Sequence, residues 1–267
     1  MLFTQYALRI TDYEDMSSKP RRFRVESLDG VHPGDALILP PEEVKHARVL
    51  RLNAGAEISL FDDTGRGAGA VLASAGGELA ARVVSTTART RVANPLTLAT
   101  AWPKGKRAAV MIEKCSELGL DRLIPVRFER SVVTKDDETE GLARLRRVAG
   151  EAAKQCGRNE PLVIAAEQKF NAVLAQETPS SVSLIAHPGS ERSLATLLKE
   201  HAAEFKAQPI LIYVGPEGGF SGAELEAARQ MGVRQVKLAK NVLRIETASI
   251  AVCAITRAIL EITPSGD

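Results

Sequence analysis

Val214-Gly-Pro-Glu-Gly-Gly-Phe-Ser221, answered further on by Leu243-Arg-Ile-Glu-Thr-Ala248, is the stretch on which the fold turns. It follows an apolar run, Ile210 to Val214, that reads as a buried strand. A strand running into Gly-Pro-Glu-Gly-Gly leaves backbone amides bare, so a ligand can approach the main chain closely. Pro216 stiffens the turn. Ser221 and Glu224 have the spacing of a capping box, which predicts a helix start there.

Working outward, the texture predicts strand–helix alternation on both sides of that loop. Strands are expected at Leu96–Ala101, Leu123–Phe128, Val182–Ala186, Ile210–Val214 and Val236–Leu238. Helices are expected at Lys106–Leu118 with Gly119 as its stop, at Leu142–Gln155, at Leu225–Met231 and at Thr247–Ile262. Such alternation implies a parallel α/β sheet. From Arg21 to about Val84 the texture is different. Short apolar runs at Ala36–Leu39, Ile58–Phe61, Ala70–Leu72 and Ala80–Val84 alternate with turn signals, which suggests a small barrel or sandwich. A helical turn or two fits Pro41–Leu50. Residues 85–94 read as a polar linker and residues 1–20 as a loosely ordered leader.

Length and composition allow one large or two modest domains in this 267-residue chain. With 45% hydrophobic and 25% charged residues, the composition is that of an ordinary soluble globular protein. A net charge of +2 argues neither for nor against a nucleic-acid partner, though a local basic surface remains open. Cys115, Cys156 and Cys253 are scattered and odd in number, and the histidines are equally scattered, so the ligand spacing argues against disulfides and a metal site. The first residues carry charges and lack an apolar h-region, and runs such as Ala248–Ile255 are too short to span a bilayer. A cytoplasmic protein with no membrane partner is expected.

In parallel sheets, ligands sit at the carboxyl ends of strands. Three segments end strands usefully: Ala186-His-Pro-Gly189, Gly215-Pro-Glu-Gly-Gly219 and Ala239-Lys-Asn-Val-Leu-Arg244. Any one alone reads best as a tight turn, and three together favour a built pocket. The familiar nucleotide fingerprints are missing. Gly65-Arg-Gly-Ala-Gly69 lies among hairpin signals and opens no helix, so it reads as structural. Trp102-Pro-Lys-Gly-Lys-Arg107 is basic without P-loop spacing, and suits either phosphate-backbone contact or a solvated helix start.

With these segments in view, the chain resembles the 16S ribosomal RNA uridine N3-methyltransferases (RsmE-like), within the SPOUT class of S-adenosylmethionine-dependent RNA methyltransferases. The resemblance runs through Arg22-Phe23, His46 with Val49-Leu-Arg51, Glu113-Lys-Cys-Ser-Glu-Leu-Gly119, Pro125 and Glu129-Arg-Ser131. It continues through Glu151-Ala-Ala-Lys-Gln-Cys-Gly-Arg158, Pro161, His187-Pro188, Gly215–Ser221 and Leu243–Ala248. Two departures stand out. Such proteins usually start close to Arg21, and they carry glycine where this chain has Ala239.

The resemblance implies a PUA-like β-barrel over residues 21–88, after an extension at 1–20, and a SPOUT domain over 89–267 with a C-terminal trefoil knot. It implies S-adenosylmethionine bound by His187, Gly215, Pro216, Glu217, Gly218, Gly219, Leu238, Asn241, Val242, Leu243, Arg244, Thr247 and Ala248. It implies 16S rRNA of the small ribosomal subunit as partner, and a homodimer. Small residues at Ala248, Ser249, Ala251 and Ala254 suit close helix packing, either between subunits or within one. For chemistry, Arg244 is the candidate to steady negative charge on uracil, and Glu246 or Glu217 to accept a proton or orient a neighbour. For RNA, the candidates are Arg21, Arg22 and Arg24 with Arg51, and Arg144, Arg146, Arg147, Lys154 and Arg158 along the basic helix. Two alternatives are a SPOUT enzyme acting on another RNA position, such as a ribose 2′-hydroxyl, and a non-catalytic ribosome-binding factor.

Overall fold

The computed structural model describes residues 20–62, 64–87, 94–131, 138–158, 160–176 and 181–262. The expected leader, save Pro20, and most of the expected linker lie outside these residues. The chain divides into two compact units, residues 1–90 and 91–267.

The first unit holds β1 (Arg21–Arg24), β2 (Ala36–Ile38), α1 (Pro41–Val49), β3 (Glu57–Phe61), β4 (Gly67–Ala75) and β5 (Glu78–Thr87). The strands form a sheet in the order β1-β3-β4-β5-β2. Alternation along β3 and β4 turns Ile58, Leu60, Ala70 and Leu72 into a core shared with Phe23 and Val83. Strand β5 runs on to Thr87, so the expected linker begins later than residue 85. Helix α1 starts on Pro41, whose fixed φ suits a first helical position, and Val44 packs on the core while Val49 is exposed.

Gly65–Gly69 is structural, as its hairpin context predicts. The turn is organised by buried Asp62, which accepts hydrogen bonds from Leu28 N (2.8 Å), Thr64 N (2.9 Å), Thr64 Oγ1 (2.7 Å) and Arg66 N (3.1 Å). Burial pushes the carboxyl upward, but these donors outweigh it and hold Asp62 below its ordinary 3.8.

The second unit begins with β6 (Leu96–Thr100), α2 (Arg107–Glu117), β7 (Arg122–Arg127), α3 (Glu138–Cys156), β8 (Val163–Ile164), β9 (Gln168–Lys169) and α4 (Phe170–Leu174). It continues with β10 (Val182–Ala186), α5 (Leu194–Glu200), α6 (Ala202–Ala207), β11 (Ile210–Val214), α7 (Gly222–Gln230), β12 (Arg234–Val236) and α8 (Ile245–Ile262). All pairings are parallel, in the order β12-β10-β11-β6-β7-β8, with β9 joining β7. The expected parallel α/β sheet is therefore what forms. Its strands are apolar on both faces because helices cover both, and Leu98, Leu123, Leu184 and Ile212 are buried at its centre. Among the described residues no helix is long and apolar enough to cross a membrane.

One polar knot ties the sheet to its helices. Asp121 accepts from Leu96 N (2.7 Å), Arg158 Nη2 (2.9 Å) and Arg257 Nη2 (2.6 Å). Arg257 also donates to Gly119 O (2.8 Å), at the helix stop expected there. Arg158 donates further to Ser116 O (3.0 Å) and Leu120 O (2.7 Å).

The depressed Asp62 carboxyl makes a pH prediction. Its charged form is favoured in the folded state, so its contribution is present above the ordinary value of 3.8 and lost as pH falls through the lower folded value. Asp62→Asn lowers the thermal midpoint near neutral pH, and the gap to wild type narrows on acidification from about pH 5 to about pH 3. A gap independent of pH in calorimetric scans contradicts this account.

Candidate active site

Strands β12, β10 and β11 are neighbours and run in one direction, so their carboxyl ends share one edge. Each end releases one of the three loops picked out in the sequence. The first is pinned to the strand beside it: His187 N donates to Val236 O (2.9 Å), and Ser190 Oγ to Gln235 O (3.0 Å). The third is pinned back, with Lys237 N on Arg192 O and Leu194 N on Lys237 O, both 2.9 Å. Between the loops lies a cavity of about 420 Å³. This is within the usual size of small-molecule sites.

The middle loop is the most constrained. Gly219 donates to Pro216 O (2.8 Å) and holds φ at 68°, which favours glycine. At Gly215 a Cβ would sit 2.9 Å from the Phe220 ring, so glycine lets that ring pack beneath the loop. Phe220 in turn packs edge-on against Phe128, with centroids 5.3 Å apart. The predicted capping box is present: Ser221 Oγ accepts from Glu224 N (3.2 Å) and Glu224 Oε2 from Ser221 N (2.8 Å). The other oxygen, Glu224 Oε1, accepts from Glu129 N (2.9 Å). One buried carboxylate thus starts α7 and ties the loop after β7 to the middle loop.

That tether brings in a residue the sequence reading leaves out. Arg130 lines the cavity, and its Nη1 donates to Gly218 O (3.2 Å) across 88 positions of chain. Glu129-Arg-Ser131 at the carboxyl end of β7 was the available signal, since the other loops at that sheet edge are the ones that form the site. Phe220 also lines the cavity, as do Pro188 and Ala239 from the first and third loops, none of them singled out individually in the sequence.

The structure gathers most of the expected residues. His187, Gly215, Pro216, Glu217, Gly218, Gly219, Leu238, Asn241, Val242, Leu243, Arg244 and Ala248 all line the cavity. Thr247 and Glu246 do not. Helix α8 starts at Ile245, two residues before the expected Thr247. Its helical period turns Ile245 and Ala248 to the cavity and carries Glu246 and Thr247 away from it. Glu246 Oε1 lies 3.6 Å from Arg107 Nη1, and its Oε2 is buried with no hydrogen-bond partner among the described residues. Among those residues no group of three or more His, Cys, Asp or Glu side chains is placed to hold a metal ion.

The RNA candidates divide. Arg24 and Arg51 are exposed, and Arg51 holds a left-handed φ of 53°. Arg22 lays its guanidinium over the Phe61 ring at 4.7 Å. Lys154 is 15% exposed and lies 3.6 Å from Glu151. Arg158 departs from the expectation: it donates to Ser116 O, Leu120 O and Asp121 Oδ1, contacts that serve the fold.

Comparison with known proteins agrees with this geometry. Residues 90–257 match the model of the RNA methyltransferase domain, and residues 39–83 match that of the RNA methyltransferase PUA domain. The chain is 32% identical over 227 residues to ribosomal RNA small subunit methyltransferase E of Mycobacterium bovis, covering 81% of this chain and 84% of that protein. It is 30% identical over 216 residues to the protein of that name from Bacillus subtilis, covering 78% and 84%. The crystal structure of a ribosomal RNA small subunit methyltransferase E from Neisseria gonorrhoeae, bound to S-adenosyl methionine, matches with a TM-score of 0.79 at 27% identity, covering 92% of this chain and all of that one. Fold and site thus define an RNA methyltransferase domain accompanied by a PUA domain. More particularly, the chain belongs to the ribosomal RNA small subunit methyltransferase E family.

The Glu224 clamp predicts a local effect. Glu224→Ala removes the carboxylate half of the capping box and the tether together, leaves the Ser221 cap in place, and costs about 2 kcal/mol. Hydrogen exchange at the Ser221 and Glu129 amides then accelerates while Leu98 and Ile212 in the sheet stay protected. Unchanged exchange at both amides contradicts the clamp.

Proposed function

We propose that this protein transfers a methyl group from S-adenosylmethionine to N3 of a uridine in small-subunit ribosomal RNA. The observation that carries the reading is the cavity walled by the three loops, most of it open backbone and apolar surface. Relatives named for small-subunit rRNA methylation, and one crystallised with S-adenosyl methionine, support the substrate and the cofactor. The N3 position, a homodimeric state, a trefoil knot through the three loops and a cytoplasmic location belong to the same reading. Part-exposed Ala251 and Ala254 on α8 suit a close helix contact between subunits.

The site fits the cofactor. Its volume suits a molecule of that size, and Gly215, Gly218 and Gly219 bare the main chain for hydrogen bonds to adenine and the methionine tail. When bound, S-adenosylmethionine supplies a methyl group on a sulfonium, the electrophile of an in-line displacement. The protein's part is placement: holding the reacting atoms at contact distance lowers the barrier by about 7–11 kcal/mol. Uracil N3 gives up its proton as it attacks. Glu217, a carboxylate lining the cavity, takes the acceptor role, while Glu246, off the cavity, holds Arg107. Arg244 forks onto the uracil carbonyl, where negative charge develops.

Mass mapping of small-subunit rRNA before and after deletion tests the target. Loss of one N3-methyluridine is expected, restored by the wild-type chain. Loss of a ribose 2′-O-methyl group instead, or an unchanged map, overturns the proposal. In the purified enzyme, Arg244→Ala lowers the methyl-transfer rate by about 100-fold with cofactor affinity held. Near-wild-type turnover removes Arg244 from the chemistry.

A further inference from the structure

The cavity carries more positive charge than the proposed cofactor calls for. His187 apart, the ionisable side chains lining it are Arg130, Arg244 and Glu217. S-adenosylmethionine brings a sulfonium, an ammonium and one carboxylate, so it is itself net positive. Two guanidiniums against one carboxylate oppose such a ligand unless an anion joins the complex. Arg244 has its place at the uracil carbonyl. Arg130 has none in that chemistry, yet it is firmly held.

The hold on Arg130 comes from both sides. Its neighbours are fixed by Glu129 N on Glu224 Oε1 (2.9 Å) and Phe128 N on Ser131 Oγ (3.0 Å). Its stem lies so close to Gly218 that a Cβ there would be 3.1 Å from Arg130 Cβ. Its Nη1 rests on Gly218 O at 3.2 Å. The side chain remains exposed at the edge of the cavity. An arginine anchored by one nitrogen and open to solvent presents a preset fork of donors, the geometry that suits a pair of phosphate oxygens.

From this we infer that Arg130 binds a backbone phosphate of the RNA next to the target nucleotide and thereby places the acceptor base in the cavity. The inference rests on the reading of the site as an S-adenosylmethionine-dependent RNA methyltransferase. A nucleotide within a strand has a phosphate on either side, so the missing anion arrives with the substrate. Arg130 thus acts on RNA affinity and leaves the cofactor alone.

Two variants test this. Arg130→Gln keeps an amide donor for Gly218 O and loses the charge, and Arg130→Lys keeps the charge and loses the fork. Each is titrated with S-adenosylmethionine by calorimetry and with a small-subunit rRNA fragment over a range of salt, and kcat and KM for RNA are measured. Arg130→Gln is expected to weaken RNA binding by about 10-fold. Its salt slope should fall in magnitude by roughly 0.7–0.9. KM for RNA rises with kcat held, cofactor affinity is equal or tighter, and Arg130→Lys recovers part of the loss. Weaker cofactor binding with RNA binding intact assigns Arg130 to the methionine carboxylate and overturns the inference. Equal weakening of both, or of neither, overturns it too, since Arg130 then serves only the loop. The wild-type titration reports on the underlying reading separately: no heat with S-adenosylmethionine sinks that reading, while the RNA titrations still decide for Arg130.

Discussion

The structure depends on the parallel pairing of β10 with both β11 and β12. Backbone hydrogen bonds along these strands bring three stretches far apart in the chain to one sheet edge, all pointing the same way. In an antiparallel arrangement the three loops would be split between opposite edges. Here Ala186, Val214 and Val236 end side by side, and every loop that follows turns into the same space. The cavity is a consequence of strand direction first and of side chains second.

Holding that space open takes further contacts. Helix α8 closes one side with Ile245 and Ala248, and its far end is tied to the sheet by Arg257 on Asp121 and Gly119 O. Glu224 does the corresponding work on the other side, joining α7, the middle loop and the segment after β7. Its carboxylate is buried and shares both oxygens among backbone donors, which offsets the cost of burial. The two charged clusters differ from the cavity itself, where Arg130, Arg244 and Glu217 face space that substrate can enter.

Much of this was legible in the sequence. The glycine loop after an apolar run, the capping box at Ser221 and Glu224, and the stop at Gly119 each follow from local chemistry, and each is where expected. The end of β12 was misplaced because Val236 and Leu238 alternate as apolar positions about Lys237, the pattern of a strand. Pairing with Leu184–Ala186 selects Arg234–Val236, and Leu238 is left to line the cavity. Glu246 was drawn into the site by its neighbour Arg244. Only the true start of α8, two residues early, shows that its face turns away. Arg158 read as one more charge on a basic helix, and its partners at Ser116, Leu120 and Asp121 are invisible to periodicity. Arg130 was missed for the same reason, since its place depends on a contact 88 positions away. The short α4, α5 and α6 and the strands β8 and β9 carry too little periodicity to be read at all.

The central claim is that the three loops at the shared edge of β10, β11 and β12 form the S-adenosylmethionine site. Amide hydrogen exchange with and without the cofactor tests it most directly. Protection is predicted at His187–Ser190, Gly215–Gly219 and Leu238–Ile245, with little change in the unit formed by the first 90 residues. Cofactor binding without protection of these loops, or protection confined to another surface, would contradict the account.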